Sequence, residues 1–264
     1  MNVCIIGDGL TSLSLAKNLI NKKINVDLYQ QKKIENLLSR QTIGVAKNNL
    51  DFFKKEIIKF SSKDVWEIKK IEIYTEKLKN QKLLNFENNK NNLFYMIKTD
   101  KFYKLLNIKL LKSKLFKKIF IKNNNFYEKL LKEKKYELII NCEKNNELSK
   151  KYFSKKINKD YCNTAYTTIL RHKKLNNNTA TQIFTKNGPI AFLPISNIET
   201  AVVCSLEIKN KEYSSAEILD LIKKNNPKFK IKKIFKFSRF QLKSSNLRNY
   251  YYKNILAFGD LLHR

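Results

Sequence analysis

An apolar run, Asn2 to Ile6, is followed by apolar residues at Leu10, Leu13, Leu15, Ala16, Leu19 and Ile20, and then by a second short run, Val26 to Tyr29. Continuous apolar residues suit a strand covered on both faces, whereas a three- and four-residue spacing suits one face of a helix, so a strand–helix–strand opening is predicted. Its first turn reads Gly7-Asp8-Gly9-Leu10-Thr11-Ser12. Beyond it the pattern predicts a helix over Lys47 to Phe60, and strands over Glu67 to Tyr74, Lys82 to Phe86 and Leu93 to Ile97. A helix over Asp100 to Lys112, with Asp100 near its N-cap, and a short strand over Glu137 to Cys142 come next. From Tyr161 the texture changes to alternating β-branched segments, Thr164 to Arg171, Thr179 to Thr185, Ile190 to Ile195 and Thr200 to Leu206, which favours an antiparallel sheet. A helix over Ser214 to Lys224, a strand near Ile231 to Leu242 and a last strand over Asn254 to Phe258 complete the chain, with loops at Asn88 to Asn92 and Lys173 to Asn178.

Composition changes this picture less than it first suggests. The formal charge is +31, yet only five of the 54 basic residues are Arg, and Lys is spread over the whole length. Nucleic-acid sites favour the bidentate fork of Arg, so a solvated basic surface is expected and nucleic-acid binding is not. At 264 residues and 42% hydrophobic, the chain can bury a large core or two interleaved ones. No apolar run approaches the ~20 residues that span a bilayer, and Val3 to Ile6 is too short and too early for a signal peptide. The fold is therefore expected to start at residue 1. Cys4, Cys142, Cys162 and Cys204 form no CxxC pair and read as reduced thiols of a cytoplasmic protein.

The five glycines are Gly7, Gly9, Gly44, Gly188 and Gly259. Two of them in the opening turn allow backbone N–H groups to approach a pyrophosphate at the helix N-terminus, although glycines after a strand also serve plain turns. Ser12 stands where a third glycine would, small enough for helix–strand packing, and Gln30 stands where such folds place a ribose-binding acid. No Ser/His/Asp, Cys/His or metal constellation is visible, and His172 and His263 read as structural.

Two further islands, Gly188-Pro189-Ile190-Ala191-Phe192-Leu193-Pro194 and Ala257-Phe258-Gly259-Asp260-Leu261, join the opening turn in a pattern that resembles the ubiquinone-biosynthesis hydroxylases, FAD-dependent aromatic monooxygenases. The resemblance implies an α/β fold, a Rossmann-type FAD-binding domain interleaved with a mainly antiparallel β-sheet substrate domain. It divides the chain into 1–62, 98–158 and 243–264 for the first and 63–97 and 159–242 for the second. It makes Gly7, Gly9 and Ser12 the pyrophosphate turn and Gln30 the ribose contact. Arg40 would lie along the flavin, Lys101 near the cofactor, and Gly259 and Asp260 at the ribityl chain.

The family's Asp-Gly pair is replaced here by Glu143 and Lys144, so a position that would take positive φ or a close backbone approach carries a side chain. Family members also continue past the Gly-Asp pair, whereas this sequence ends at Arg264. The implied activity is insertion of one oxygen atom from O2 into the ring of a prenylated phenol. FAD would be the cofactor, reduced by NAD(P)H or an electron-transfer partner. Peripheral contact with an inner membrane and a multi-protein biosynthetic assembly would go with such a substrate. Two alternatives stay open: a degenerate, non-catalytic binding or scaffolding subunit, and another FAD oxidoreductase on the same fold.

Overall fold

The computed structural model describes residues 1–31, 41–76, 81–88, 92–121, 125–208 and 212–263. Its first part runs β1 (Asn2–Ile6), α1 (Leu10–Asn21), β2 (Asn25–Gln30), β3 (Thr42–Ala46), α2 (Lys47–Phe52), β4 (Val65–Ile68), β5 (Lys70–Thr75), β6 (Gln81–Glu87) and β7 (Phe94–Lys98). The middle comprises α3 (Thr99–Leu111), β8 (Phe116–Phe120), α4 (Phe126–Lys132), β9 (Leu138–Asn141) and α5 (Glu147–Tyr152). The remainder is β10 (Lys156–His172), β11 (Thr179–Thr185), β12 (Gly188–Pro194), β13 (Glu199–Glu207), α6 (Ser215–Lys224), β14 (Ile231–Ile234), β15 (Ser238–Leu247), β16 (Tyr251–Tyr252) and β17 (Ile255–Ala257).

Three sheets result. The first has the order β16-β17-β9-β1-β2-β8, parallel throughout except for the antiparallel edge strand β16. Residues Val3 and Ile5 point to one core with Leu13, Ala16 and Leu106, while Cys4 and Ile6 point to another with Tyr127, Leu130 and Leu148. Burial on both faces is why the opening strand reads as a continuous apolar run rather than an alternating one. The largest sheet runs β14-β10-β13-β12-β11-β5-β6, with β15 also paired to β10, and α6 packs on it through Ile218 and Ile222. Only the β5–β11 pair in it is parallel. A third sheet, β3-β7-β4, packs Ile68 and Met96 against Ile169, Ala180 and Ala201 of the large one.

The mixed α/β architecture expected from the sequence is thus present, with differences in detail. The predicted strand Glu67 to Tyr74 is two strands in two sheets, because Lys69 turns its N–H to the Asn178 carbonyl (3.0 Å) instead of continuing a ladder. The predicted strand near Ile231 to Leu242 is likewise divided into β14 and β15, which pair with different stretches of β10. The helix predicted to reach Phe60 is α-helical only to Phe52 and continues as a wider π-helical turn, Phe53–Ile57. Asp100 lies in the first turn of α3 rather than at its cap, which is Lys98. Residues 89–91 of the predicted loop at Asn88 to Asn92 lie outside the described residues, as does Arg264.

Candidate functional site

Three adjacent parallel strands end together. Ile6 of β1 is in register with Asn141 of β9, and Asn141 with Ala257 of β17. Beyond those ends Cys142 donates its N–H to the Ile6 carbonyl (2.9 Å) and Phe258 to the Asn141 carbonyl (3.0 Å). The three segments that follow, Gly7 to Ser12, Cys142 to Lys144 and Gly259 to Asp260, therefore meet at one edge. This edge lies where the chain turns to opposite sides of β1, the position at which open α/β sheets bind ligands.

The opening turn has the backbone of an anion site. Gly7 takes φ +122°, and its N–H is tied to the Tyr29 carbonyl at 2.8 Å. Gly9 caps α1 in extended conformation, no side chain closes the helix end, and no acidic residue lies in the first turn. Leu13 is the first residue whose N–H bonds back along the helix, to the Gly9 carbonyl at 3.0 Å. The free N–H groups before it and the helix dipole favour a negative charge there. A Cβ at Gly9 would meet nothing within 4 Å, so the glycine borders open space. A Cβ at Gly259 (φ +63°) would instead lie 2.6 Å from Thr11 Cγ2, which makes Gly259 the residue that lets the carboxyl-terminal segment approach α1.

Side chains around the turn fall into two groups. Ser12 is buried, and its hydroxyl lies beside the Cys142 thiol, so it serves the packing of α1 on the sheet. Gln30, at the carboxyl end of β2, is buried with its Oε1 unpartnered among the described residues. A buried acceptor without a donor costs free energy unless something supplies one. Asp8 is 2% exposed and points inward, accepting a hydrogen bond from Tyr103 (2.6 Å) and pairing with Lys118, whose ammonium is 2.8 Å from Oδ1 as an ion contact without hydrogen-bond alignment. Lys118 also reaches Asn107 Oδ1 at 3.1 Å.

Glu143 is half-buried above Gly7, with Oε1 and Cγ each 3.2 Å from where a Gly7 Cβ would be. Burial, and then the Asp8 charge, raise its carboxyl above the ordinary carboxylate range, although the Asp8 backbone N–H bonds to it and favours the charged form. Lys144 does not need the glycine expected there: among the described residues it is absent from those with positive φ. Asp260 is exposed in the short turn Gly259–Leu261, and Lys101 is exposed in the first turn of α3, with no ion pair among the described residues. Arg40 lies outside the described residues.

Two cavities stand out, of which the smaller reaches this edge at Leu10, Thr11 and Phe258. One, of about 470 Å³, lies between the start of β3, the start of α3 and the large sheet, bordered by Gln41, Thr42, Thr99, Thr168, Val202 and Phe240. The other, of about 420 Å³, is an apolar trough along α1 formed by Leu10, Leu15, Phe53, Phe102 and Phe258. Ile43 borders both. Neither the Asp8–Lys118 pair nor the cavity threonines were among the residues anticipated from the sequence. Asp8 between the two glycines of the opening turn was the one available signal, since an acid buried there demands a buried cation.

No family model matches the chain, and no curated protein matches it by sequence. Solved structures do match in fold. A p-nitrophenol 4-monooxygenase, PnpA, from Pseudomonas putida superposes with a TM-score of 0.76 at 7% identity, covering 99% of this chain and 72% of that one. The chain shares the fold of that monooxygenase. A probable FAD-dependent monooxygenase, PqsL, from Pseudomonas aeruginosa gives 0.74 at 12% identity, over 100% of this chain and 79% of that one. A 2-methyl-3-hydroxypyridine-5-carboxylic acid oxygenase gives 0.71 at 10%, over 99% and 75%.

Proposed function

We propose that the chain is an FAD-dependent monooxygenase that inserts one oxygen atom from O2 into the ring of a prenylated phenol, as a step of ubiquinone biosynthesis. The observation that carries it is the convergence of Gly7 to Ser12, Glu143 and Gly259–Asp260 on one edge beside an uncapped helix end. The residues present fit the cofactor at three points: open space at Gly9, the orphan Oε1 of Gln30, and the close approach that Gly259 permits. The α1 N–H groups would hold the pyrophosphate, Gln30 a ribose hydroxyl, and Asp260 the ribityl chain. By the resemblance, Arg40 would lie along the flavin and Lys101 near the cofactor. The division into 1–62, 98–158 and 243–264 against 63–97 and 159–242 belongs to the same reading, supported by the first sheet drawing its strands from the first set and the large sheet most of its strands from the second, while the three-stranded sheet joins strands of both parts.

Bound FAD supplies the redox chemistry, O2 activation and transfer of one oxygen atom to an electron-rich ring. The chain would position the ring and keep water out. In the larger cavity Thr168 donates to the Phe235 carbonyl (2.7 Å), which leaves its hydroxyl oxygen able to accept from a phenol O–H. That this cavity and the apolar trough share Ile43 as a wall supports a substrate with a polar ring and a hydrocarbon tail. Reducing equivalents would come from NAD(P)H or an electron-transfer partner. A tailed substrate would be met at an inner-membrane surface, with the excess of Lys favouring anionic lipid. Among the described residues no helix is long and apolar enough to cross a membrane.

Purified protein reconstituted with FAD should turn yellow and hydroxylate a prenylphenol in an O2-dependent manner. Protein that stays colourless at saturating FAD would rule out the flavoenzyme. FAD binding without hydroxylation would leave the alternative of another FAD oxidoreductase.

A further inference from the structure

Glu143 stands where the resemblance places an aspartate, but with one methylene more its carboxylate reaches into the turn against Gly7. A pyrophosphate diester keeps its two negative charges over the whole accessible pH range, and the turn that would receive it already holds a carboxylate. Glu143 lies against Gly7 and bonds the Asp8 backbone N–H, one of the donors the turn has to offer. Its place is fixed from behind, because the Glu143 N–H donates to Asn141 Oδ1 (3.1 Å) and the Ser149 hydroxyl donates to the Glu143 carbonyl. Two unit charges of like sign about 4 Å apart repel strongly in a partly desolvated site, far more than in water.

Resting on the cofactor reading above, we propose that Glu143 limits pyrophosphate affinity at this turn and couples pyrophosphate binding to the uptake of one proton by its own carboxyl. The proton comes from solvent and converts the carboxylate to a neutral acid, whose O–H can then donate to a phosphate oxygen instead of repelling it. The charges facing Glu143 favour this step. The β1–α1 turn presents Asp8, already claimed by Lys118 of β8 and Tyr103 of α3. The α5 side presents Glu147 and α4 presents the neutral Tyr127, whose own proton is held more tightly by burial first and then by the charges of Glu143 and Glu147. Asp260 of the carboxyl-terminal turn and Glu143 both act on the intervening Cys142 thiol. The only cation beside it in sequence is Lys144. An anionic ligand adds one more negative charge to this set and raises the proton affinity of Glu143 further.

The sign follows from linkage. Between the carboxyl's proton affinity without ligand and its higher value with ligand, each unit rise in pH should weaken FAD binding about tenfold. The test is FAD titration of wild type and E143Q, read by flavin fluorescence, between about pH 5.5 and 8.5. Calorimetry in buffers of different ionisation enthalpy would count protons. The expected result is wild-type affinity that falls with pH, uptake of up to one proton, and an E143Q dissociation constant about tenfold or more lower at the alkaline end with no comparable slope. Equal slopes in the two proteins, or weaker binding by E143Q, would overturn the role of Glu143 while leaving the cofactor in place. The wild-type titration and proton count need no variant, so a pH-independent affinity with no proton uptake would overturn it even if E143Q fails to fold. No FAD binding by either protein at any pH would overturn the cofactor reading and the inference with it.

Discussion

Gly7 and Gly188 have nearly the same backbone, φ +122° and +128°, but different surroundings. A Cβ at Gly188 would lie 2.1 Å from the Ser205 carbonyl oxygen, a backbone atom of the neighbouring strand that cannot move without breaking the sheet. At Gly7 the nearest atoms are side chains, Ser12 Oγ at 3.0 Å and Glu143 at 3.2 Å, and two residues further on Gly9 borders open space. The glycine of the antiparallel sheet is consumed by the fold, whereas Gly9 of the parallel edge leaves room for something else. Glycine alone does not mark a site; what its missing Cβ would have touched does.

The comparison can be broken by three substitutions. Gly188→Ala should have the largest effect, a loss of about 3 kcal/mol or more of stability in chemical denaturation, because strained φ adds to a backbone collision. A loss below about 1 kcal/mol would contradict the claim that this glycine is structural. Gly9→Val should behave in the opposite way. Its melting temperature should stay close to wild type, with stability changed by less than about 1 kcal/mol, while FAD binding weakens tenfold or more, about 1.4 kcal/mol or above. Unchanged affinity would mean that the open space at Gly9 is not a cradle.

The smallest effect concerns a carboxylate of the other region. Burial alone would raise Glu72, but hydrogen bonds from Lys82, Tyr74 and Lys70 outweigh it and bring its carboxyl down to about 2. A depressed carboxyl stabilises the fold above its unfolded value and loses that contribution as pH falls toward the folded one. Glu72→Gln should therefore cost up to about 1 kcal/mol at neutral pH and nothing near pH 2, measured by urea titration at both. Glu143, with acids rather than lysines facing it, shifts in the opposite direction. Identical pH profiles of stability for Glu72→Gln and Glu143→Gln would erase the distinction between a carboxylate held by lysines and one facing an acid.

Much of the fold was legible where local pattern and tertiary structure agree. The helix predicted from the apolar positions Leu10 to Ile20 and the strand predicted over Thr179 to Thr185 fall on α1 and β11, since each carries its own periodicity and turn signals. The break at Lys69 was not legible, because a β-branched run looks the same whether it serves one sheet or two. Strand β8 was hidden by Lys117 and Lys118, which read as surface until Lys118 is seen against Asp8. The residues of the turn were readable from glycine spacing, but their surroundings were not. Lys144 looked like a strained replacement of glycine and has ordinary φ, while the cost at that motif falls instead on the adjacent Glu143.

Hydrogen–deuterium exchange of the α1 amino terminus, with and without FAD, tests most directly the claim that three segments converge to form an anion-binding edge. The amides of Leu10, Thr11 and Ser12 precede the first intrahelical bond and should exchange fast in the free protein. FAD should protect them together with the segment around Gly259, and protection should be greater at lower pH after correction for intrinsic exchange. FAD binding that leaves Leu10 to Ser12 unprotected would place the cofactor elsewhere and contradict the account.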